Sequence, residues 1–226
     1  MAAYFDKELF TFLKQLKKNN NREWFLRHKT LYEDKVKEPL LDFISDLRPH
    51  LLKICANLKV SAKSNGGSLL RIYRDTRFAK DKIPYKTNAG LHFPYIPVNQ
   101  GIHAPGFYLH LEPNSSFAAA GSWHPDPTSL FKIRTLILEK PKKWEKILKK
   151  KIPLEGGSLA RAPRGFDPHH PLIDDLKRKD FITSISFTET QVCSSTFLQQ
   201  YIKACKQMEP LMDFLIEAIT TSKKLF

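Results

Sequence analysis

One short segment of the sequence concentrates side chains that bind anions. It reads RIYRDTRFAKDKIPYKTN over residues 71–88. Its cations are Arg71, Arg74, Arg77, Lys80, Lys82 and Lys86, its acids are Asp75 and Asp81, and its aromatic residues are Tyr73, Phe78 and Tyr85. A guanidinium group is a rigid fork that binds phosphate or carboxylate through paired hydrogen bonds. This composition therefore predicts a site for a small anionic ligand.

The charges of this segment do not balance internally. Asp75 and Asp81 neutralise only part of the positive charge, and several arginines on one loop repel each other unless further anions intervene. An aspartate beside an arginine stays ionised, which suits a positioning role better than that of a general acid. Two other interpretations use the same residues: a structural brace whose salt bridges pin a long loop to the sheet, or a charge run exposed to solvent.

We predict that three arginines hold the anion, that two lysines assist them and that the two aspartates orient the cations. The predicted ligand-binding residues are Arg71, Arg74, Asp75, Arg77, Asp81, Lys82, Tyr85, Lys86 and Arg164. Arg164 lies in a loop that also carries the adjacent pair His169 and His170. Adjacent histidines alone do not make a metal site, so we predict no bound metal and no cofactor.

If the protein catalyses a reaction, the candidates for proton transfer are Tyr85, Tyr108 and His110. The segment Phe107–Glu112 alternates apolar and polar residues, so Tyr108, His110 and Glu112 face one side of a strand. Such a face can line a pocket and perform acid–base chemistry, or it can be an exposed face of the sheet. If the strand that holds Arg71 and Tyr73 lies beside it, both strands would contribute to one polar floor.

Two further segments have both a functional and a structural interpretation. Residues 121–125 end a strand and lead to a helix start near Asp126, where backbone N–H groups can bind an anion and Trp123 can stack on a ring. The alternative is a capped turn with a buried Trp123. The lysine-rich residues 139–151 can contact a nucleic-acid backbone or an acidic membrane, or form the solvated face of a helix whose apolar side carries Trp144.

The cationic segment also resembles the hallmark of a known family. The pattern R-x-x-R-D-x-R-F-x-x-D-K-x-x-Y, which runs from Arg71 to Tyr85, resembles that of domain of unknown function 2461, a bacterial family of conserved hypothetical proteins with relatives in fungi. Residues 19–25 (NNNREWF) and 161–171 (RAPRGFDPHHP) resemble its N-terminal and C-terminal signatures. The resemblance covers nearly the whole chain. It implies membership of the family, and it implies no activity.

Helices are predicted to precede the sheet. Apolar residues recur at helical spacing before residue 58, and Asp6 is placed to cap the first helix. Asn20 and Glu23 resemble a capping box for the second helix. Pro39 suits the first turn of a third helix, in which we expect a kink or break at Pro49.

The apolar period then changes to two, which predicts strands. These are Leu69–Tyr73, Leu91–Tyr95, Phe107–Glu112, Phe117–Trp123 and Phe181–Phe187, with a hairpin turn at Pro113–Ser116. Later helices are predicted from Pro127, from Pro141, from Ser194 or Ser195 to about Met208, and from Pro210. Strands joined by turns favour an antiparallel sheet, here of about four to six strands, and helices on both sides of it in sequence indicate an α+β fold.

We predict one domain over residues 1–226. It would consist of N-terminal helices over about 6–58, a sheet core over about 68–124 and a mostly helical C-terminal part over about 126–226. The hydrophobic fraction of 42% and the 16 Phe residues supply ample apolar area for a core, which argues against disorder.

Composition also bounds the compartment. Cys55, Cys193 and Cys205 form no C-x-x-C pair, which argues against a disulfide scaffold and a thiolate zinc site and favours a reducing compartment. The N-terminus has no signal-peptide pattern, and no apolar run reaches the length needed to cross a bilayer. We therefore expect a cytoplasmic protein without a membrane partner.

The formal net charge of +14 favours anionic partners. Together with the cationic segment, it leaves three hypotheses for function. The first is a pocket for a small anionic ligand that carries phosphate or carboxylate, with or without catalysis. The second is a nucleic-acid-binding protein with one continuous basic surface. The third is a non-catalytic interaction module in which the cationic segment is only a brace. The sequence contains none of the common nucleotide-binding or hydrolase motifs. It also does not predict an oligomeric state.

Overall fold

Helices form the first part of the chain, as predicted. The structure, a computed structural model, describes residues 2–77, 79–97, 103–150 and 153–221. Its N-terminal elements are α1 (Lys7–Lys18), α2 (Arg22–Arg27), α3 (Lys29–Tyr32), a π-helical turn (Glu33–Lys37) and α4 (Glu38–Ile54). The predicted cap, Asp6, accepts a hydrogen bond from the N–H of Glu8, and Pro39 lies in the first turn of α4.

Two details of these helices differ from the prediction. The cap of α2 is Asn21, whose side-chain oxygen accepts a hydrogen bond of 2.9 Å from the N–H of Trp24, so the predicted capping box at Asn20 is wrong. α4 also runs through Pro49 without a break. Leu47 and Leu51 are fully buried on either side of Pro49, and tertiary packing of this kind holds a helix together where one backbone hydrogen bond is lost.

The strands form one five-stranded antiparallel sheet, which confirms the predicted α+β class. They are β1 (Ala89–Pro94), β2 (Gly106–Leu111), β3 (Ser116–Ser122), β4 (Leu154–Glu155) and β5 (Phe181–Phe187). Their order in the sheet is β1-β2-β3-β5-β4. The predicted turn joins β2 to β3, and within it Asn114 adopts a φ of 62°, a conformation that asparagine tolerates.

The predicted strand Leu69–Tyr73 is not a strand. It contains only isolated antiparallel pairs, Leu69 with Leu91 and Tyr73 with Tyr85. The segment bonds first to β1 and then, from Ile72 onward, to residues 84–86. Because it changes partner within a few residues, no continuous ladder forms.

Helices return after β3. They are α5 (Pro127–Glu139), α6 (Pro141–Leu148), α7 (Ile173–Leu176), α8 (Glu189–Val192) and α9 (Phe197–Thr220). α5 and α6 begin at the predicted prolines, whereas α9 begins just beyond Ser195 and runs through Pro210. The predicted boundary after Met208 is therefore wrong. Met208 and Leu211 are buried on either side of Pro210, and their packing outweighs the missing N–H.

The chain folds into two compact units. The first comprises Met1–Phe93, Tyr108–Ala118 and Ser186–Ala204, and the second comprises Pro94–Phe107, Ala119–Ile185 and Cys205–Phe226. Aromatic rings fill the core of the first unit: Phe5, Phe12, Phe25, Phe43, Phe93, Phe197 and Tyr201. In the second unit, the fully buried Trp144 packs against Phe181 and Phe214. Within the described ranges, no helix is long and apolar enough to cross a membrane.

Candidate functional site

The cationic segment is closed at its base by an isolated antiparallel pairing of residues 72–74 with residues 84–86, here called the ribbon. The N–H of Arg74 donates to the carbonyl of Pro84 at 2.9 Å, and the N–H of Lys86 donates to the carbonyl of Ile72 at 2.8 Å. Tyr73 and Tyr85 lie opposite each other in this ribbon. Residues 75–77 and 79–83 therefore belong to a loop that begins and ends near these two tyrosines.

The turn between α1 and α2 holds the ribbon in place. The side-chain amide of Asn20 hydrogen-bonds to both backbone groups of Tyr85. The ring of Phe25 on α2 stacks on the ring of Tyr85 with 4.2 Å between centroids, and the Tyr73 ring lies 5.3 Å from that of Tyr85. α2 and the ribbon consequently share an aromatic floor.

An open groove of about 290 Å³ lies on this floor. Its lining consists of Arg22, Leu26, Tyr73, Arg74, Thr76, Pro84 and Tyr85. The lining thus combines two guanidinium groups, three hydroxyl groups and two apolar side chains. Among the described residues, no carboxylate lines the groove.

The two arginines of the groove differ in their partners. Arg74 Nη1 lies 2.9 Å from Oδ1 of Asp81, a half-exposed carboxylate, so the other N–H groups of this guanidinium stay available. Arg22 makes no ion pair with any residue that the structure describes. A guanidinium without its own counter-ion is a suitable partner for an anion from solution.

The tyrosine hydroxyls are suited to donate hydrogen bonds. Burial raises the pKa of Tyr85, with a further contribution from Tyr73, while the nearby charge of Arg22 opposes the rise. Burial also raises the pKa of Tyr32 to about 12, again assisted by Tyr73. Both phenols keep their protons at neutral pH, and Tyr85, the one of the two that lines the groove, can then donate to a bound anion.

The two predicted aspartates are each paired with an arginine of the loop. Asp75 accepts from Nε and Nη2 of Arg77 at 3.0 and 2.7 Å. These hydrogen bonds, with smaller help from Arg71, hold the pKa of Asp75 well below its usual range. Asp81 pairs with Arg74. Both predicted aspartates therefore contact an arginine of the loop, and the Asp75–Arg77 pair lies outside the groove.

The other predicted cations of the segment have different surroundings. Lys82 Nζ donates to the carbonyl of Thr76 at 3.0 Å and so helps to shape the loop. Lys86 is half-buried, and its pKa is lowered mainly by burial and secondarily by the charge of Arg71. Neither Lys86 nor the exposed Arg71 pairs with a carboxylate among the described residues. Phe78 of the family pattern lies outside the described residues.

Tyr108, His110 and Glu112 lie on one face of β2, as predicted, and are joined by hydrogen bonds. The Tyr108 hydroxyl lies 3.1 Å from Nδ1 of His110, and Nε2 of His110 lies 3.1 Å from Glu112. Because an ionised carboxylate only accepts, Nε2–H donates to Glu112 and the Tyr108 hydroxyl donates to Nδ1. Burial raises the pKa of Tyr108 to about 12, with a smaller contribution from Glu112. Both nitrogens of His110 are thus occupied within this chain of hydrogen bonds.

The hypothetical polar floor is not formed as proposed. Leu69 pairs with Leu91 of β1, and β1 lies next to β2, so β1 separates the segment of Arg71 and Tyr73 from the strand of Tyr108. Tyr73 instead packs beside Tyr85 in the groove. The groove and the Tyr108 chain are two distinct features of the first unit.

The remaining predicted positions belong to the second unit. Arg164 is exposed and makes no side-chain hydrogen bond or ion pair within the described part of the chain. In the lysine-rich segment, Trp144 is fully buried and so is not available for stacking on a base, while Lys151 lies outside the described residues. Trp123 is 53% exposed, so the alternative of a buried Trp123 is wrong. No group of three metal-binding side chains occurs in the described ranges.

Sequence reasoning missed Arg22 as a groove residue. Arg22 lies in the N-terminal signature NNNREWF, whose pattern predicts a helix start and resembles the family but does not predict a ligand-binding role for Arg22. The available signal was the run of three asparagines, because an exposed helix needs only one cap and the extra amide groups can bond elsewhere. Asn20 does so at Tyr85, and this contact brings α2 to the groove.

The groove residues all fall within the match to one family model. A model described as conserved hypothetical protein, DUF2461, matches residues 8–214. The chain belongs to this family. No curated protein sequence matches it. The DUF2461 match includes Arg22 and the ribbon, so the N-terminal signature and the cationic segment, which are far apart in sequence, meet at one surface of this family member.

Proposed function

We propose that the groove binds a small molecule that carries a phosphate or carboxylate group. The observation that carries the proposal is the presence of Arg22 and Arg74 in a single groove whose described lining contains no carboxylate. Arg22 lacks an ion-pair partner among the described residues, and Arg74 has one exposed partner, Asp81. Two guanidinium groups and the tyrosine hydroxyls together offer an anion several donors at once.

The size and the apolar residues of the groove indicate what kind of molecule carries the anionic group. A volume of about 290 Å³ corresponds to the lower end of small-molecule sites, which span about 300–1,000 Å³. Leu26 is 68% exposed and Tyr73 is 51% exposed, so both present apolar area to the groove. The expected ligand is therefore an anion with a short carbon skeleton or a ring that lies against Tyr73 and Leu26.

Long-range electrostatics support the same ligand class. The chain has a formal net charge of +14, and the exposed Arg77 and Lys80 belong to the loop beside the groove. A positive field of this kind raises the local concentration of anions and speeds their association. The same field is screened by salt, so binding must be compared at constant ionic strength.

A thermal-shift and calorimetric titration tests the proposal. Inorganic phosphate and citrate are added to the full chain while sodium chloride keeps the ionic strength constant. A ligand at about 100 times its Kd stabilises the native state by about 2.7 kcal/mol, which raises Tm. We expect Arg22→Gln and Arg74→Gln each to weaken binding by about tenfold or more, since a hydrogen bond to a charged group contributes about 1.5–3 kcal/mol.

Arg77→Gln is the matched control. It removes the same charge from the same loop, but Arg77 pairs with Asp75 outside the groove. We expect it to leave the ligand-dependent shift unchanged at constant ionic strength. If the unliganded Arg74→Gln variant loses stability while neither anion shifts the wild-type Tm, the segment is a structural brace. If Arg77→Gln weakens binding as much as Arg22→Gln does, the charge acts only through its long-range field.

A further inference from the structure

A buried carboxylate holds an exposed histidine at the end of β3, within the second unit. Oδ1 of Asp180 accepts the backbone N–H of His124 at 2.8 Å and also lies 2.8 Å from Nδ1 of the same residue. Oδ2 of Asp180 accepts the N–H of Gly157 at 2.9 Å. The side chain of Asp180 is 3% exposed, whereas that of His124 is 57% exposed. The His124 imidazole is therefore exposed to solvent while the buried Asp180 carboxylate fixes its position.

The local backbone is adapted to this contact. His124 has a φ of 50°, in the left-handed region that is unfavourable for a residue with a Cβ. Gly156 has a φ of 105°, and a Cβ at this position would come within 2.4 Å of the Asp180 Cβ. Conformations of this kind persist only where the surroundings impose them, and they cluster at functional sites.

The protonation pattern of the imidazole follows from the distance to Asp180. At 2.8 Å from a carboxylate oxygen, Nδ1 must carry a hydrogen, because two lone pairs would repel each other. In the neutral ring, Nε2 then keeps its lone pair. No hydrogen bond to Nε2 is found among the described residues, so this lone pair is open to a ligand or water.

An exposed aromatic surface adjoins the histidine. The Trp123 ring stacks on the His124 ring with 4.6 Å between centroids. The carbonyl of Trp123 contacts Nδ1 of His103 at 3.0 Å, and the carbonyl of His103 accepts a hydrogen bond of 2.6 Å from the hydroxyl of Ser122. The backbone that carries Trp123 is therefore tied down, while the part of its ring that His124 does not cover stays accessible to a flat ligand.

We propose that His124 is a general base for a small molecule whose planar ring packs against the exposed edge of Trp123 beside His124, with Asp180 as the positioning residue. In this step, Nε2 takes the proton of a hydroxyl group or water molecule, and the electron pair of the broken O–H bond stays on the oxygen, which becomes the nucleophile. The resulting imidazolium is neutralised by the Asp180 carboxylate, and it later returns the proton to water. The inference is independent of the anion-binding groove, which lies in the other unit.

Hydrolysis of p-nitrophenyl acetate by the full chain tests this step. The probe offers a flat ring and an activated ester. Water, deprotonated by Nε2, adds to the acetyl carbon, and the C–O bond breaks so that p-nitrophenolate, acetate and protons result. We expect His124→Asn to lower the second-order rate constant by about tenfold or more, since a positioned general base contributes about 10²–10⁴-fold. Asparagine is chosen because it tolerates the left-handed backbone.

Three further variants separate a base from a structural histidine. His169→Gln removes an exposed histidine whose ring has no described partner, and it should leave the rate unchanged. Asp180→Asn should lower the reactivity of His124 toward diethyl pyrocarbonate by about tenfold, because the carboxylate that neutralises the imidazolium is gone. Trp123→Ala should raise KM more than it lowers kcat.

Peptide mass spectrometry follows carbethoxylation at each of the eight histidines, so it gives a readout besides turnover. Wild-type His124 should react faster than His169. Should folded His124→Asn hydrolyse the ester at the wild-type rate, or His124 react no faster than His169, the proposal is overturned. If Asp180→Asn fails to fold, the His124→Asn and His169→Gln comparison decides.

Discussion

The side-chain amide of Asn20 makes both hydrogen bonds that a neighbouring strand would make with Tyr85. Its Nδ2 donates to the Tyr85 carbonyl at 3.0 Å, and its Oδ1 accepts from the Tyr85 N–H at 3.1 Å. The two residues are 65 positions apart in sequence. This contact ties the turn before α2, and with it Arg22, to the ribbon that forms the opposite wall of the groove.

Replacement of Asn20 by alanine should therefore weaken both the fold and the site. The Tyr85 N–H and carbonyl would lose their partners in a partly buried position, which costs about 1–3 kcal/mol. Urea denaturation measures this loss, and the phosphate-dependent Tm shift should fall although both arginines remain. Asn65→Ala, at an exposed turn residue, is the control and should change the free energy of unfolding by less than about 0.5 kcal/mol. Equal stability of the two variants would contradict the bracing role of Asn20.

Local patterns predicted those features of the fold that depend on local structure. Alternation along β2 placed Tyr108, His110 and Glu112 on one face because side chains of a strand alternate with a period of two. Asp6 was identified as a cap because the bond to Glu8 spans only two residues. Such features require no knowledge of what lies elsewhere in the chain.

Tertiary contacts decided the features that were missed. Pro49 and Pro210 are local helix breakers, yet both lie inside continuous helices because the residues around them are buried. The segment of Arg71 predicted the location of a cationic surface, but it carries no sign that Arg22 completes the groove. The position of Arg22 in the groove depends on the contact between Asn20 and Tyr85, which are 65 residues apart, and no local pattern of apolar residues predicts this contact.

Gly90 on β1 leaves room for the hydroxyl of Tyr108. A Cβ at Gly90 would lie 2.7 Å from the Tyr108 hydroxyl oxygen and 3.3 Å from Cδ1 of Leu70. Gly90→Ala should destabilise the protein by about 1–3 kcal/mol through overpacking. Tyr108→Phe alone should cost about 1 kcal/mol, because Nδ1 of His110 loses its donor.

A double-mutant cycle links the two positions. Removal of the hydroxyl also removes the nearest clash, so Gly90→Ala should cost less in the Tyr108→Phe background than in the wild type. We expect a coupling free energy of about 0.5–2 kcal/mol from urea denaturation of the four proteins. Additive effects would mean that the alanine is accommodated by a shift of Leu70 or of the backbone, and that Tyr108 does not depend on glycine at this position.

His92 on β1 should make stability depend on pH below neutrality. Burial lowers its pKa to about 4, with a smaller contribution from the charge of Lys59, whereas in the unfolded chain it titrates near 6.5. Between these values the unfolded state binds more protons than the native state, so stability is complete above pH 6.5 and is lost as the pH falls toward 4. The loss should be about 1–3 kcal/mol.

Urea denaturation of wild type and His92→Gln from pH 7 to about pH 3 isolates this effect. Carboxylates also protonate over this range, but they do so in both proteins, so the difference between the two curves reports His92. We expect the free energy of unfolding of the wild type to fall more steeply than that of the variant between pH 6.5 and 4, and the two curves to run parallel below pH 4. Parallel curves over the whole range would mean that His92 has the same pKa in the native and unfolded states, and that its burial on β1 does not disfavour the charged form.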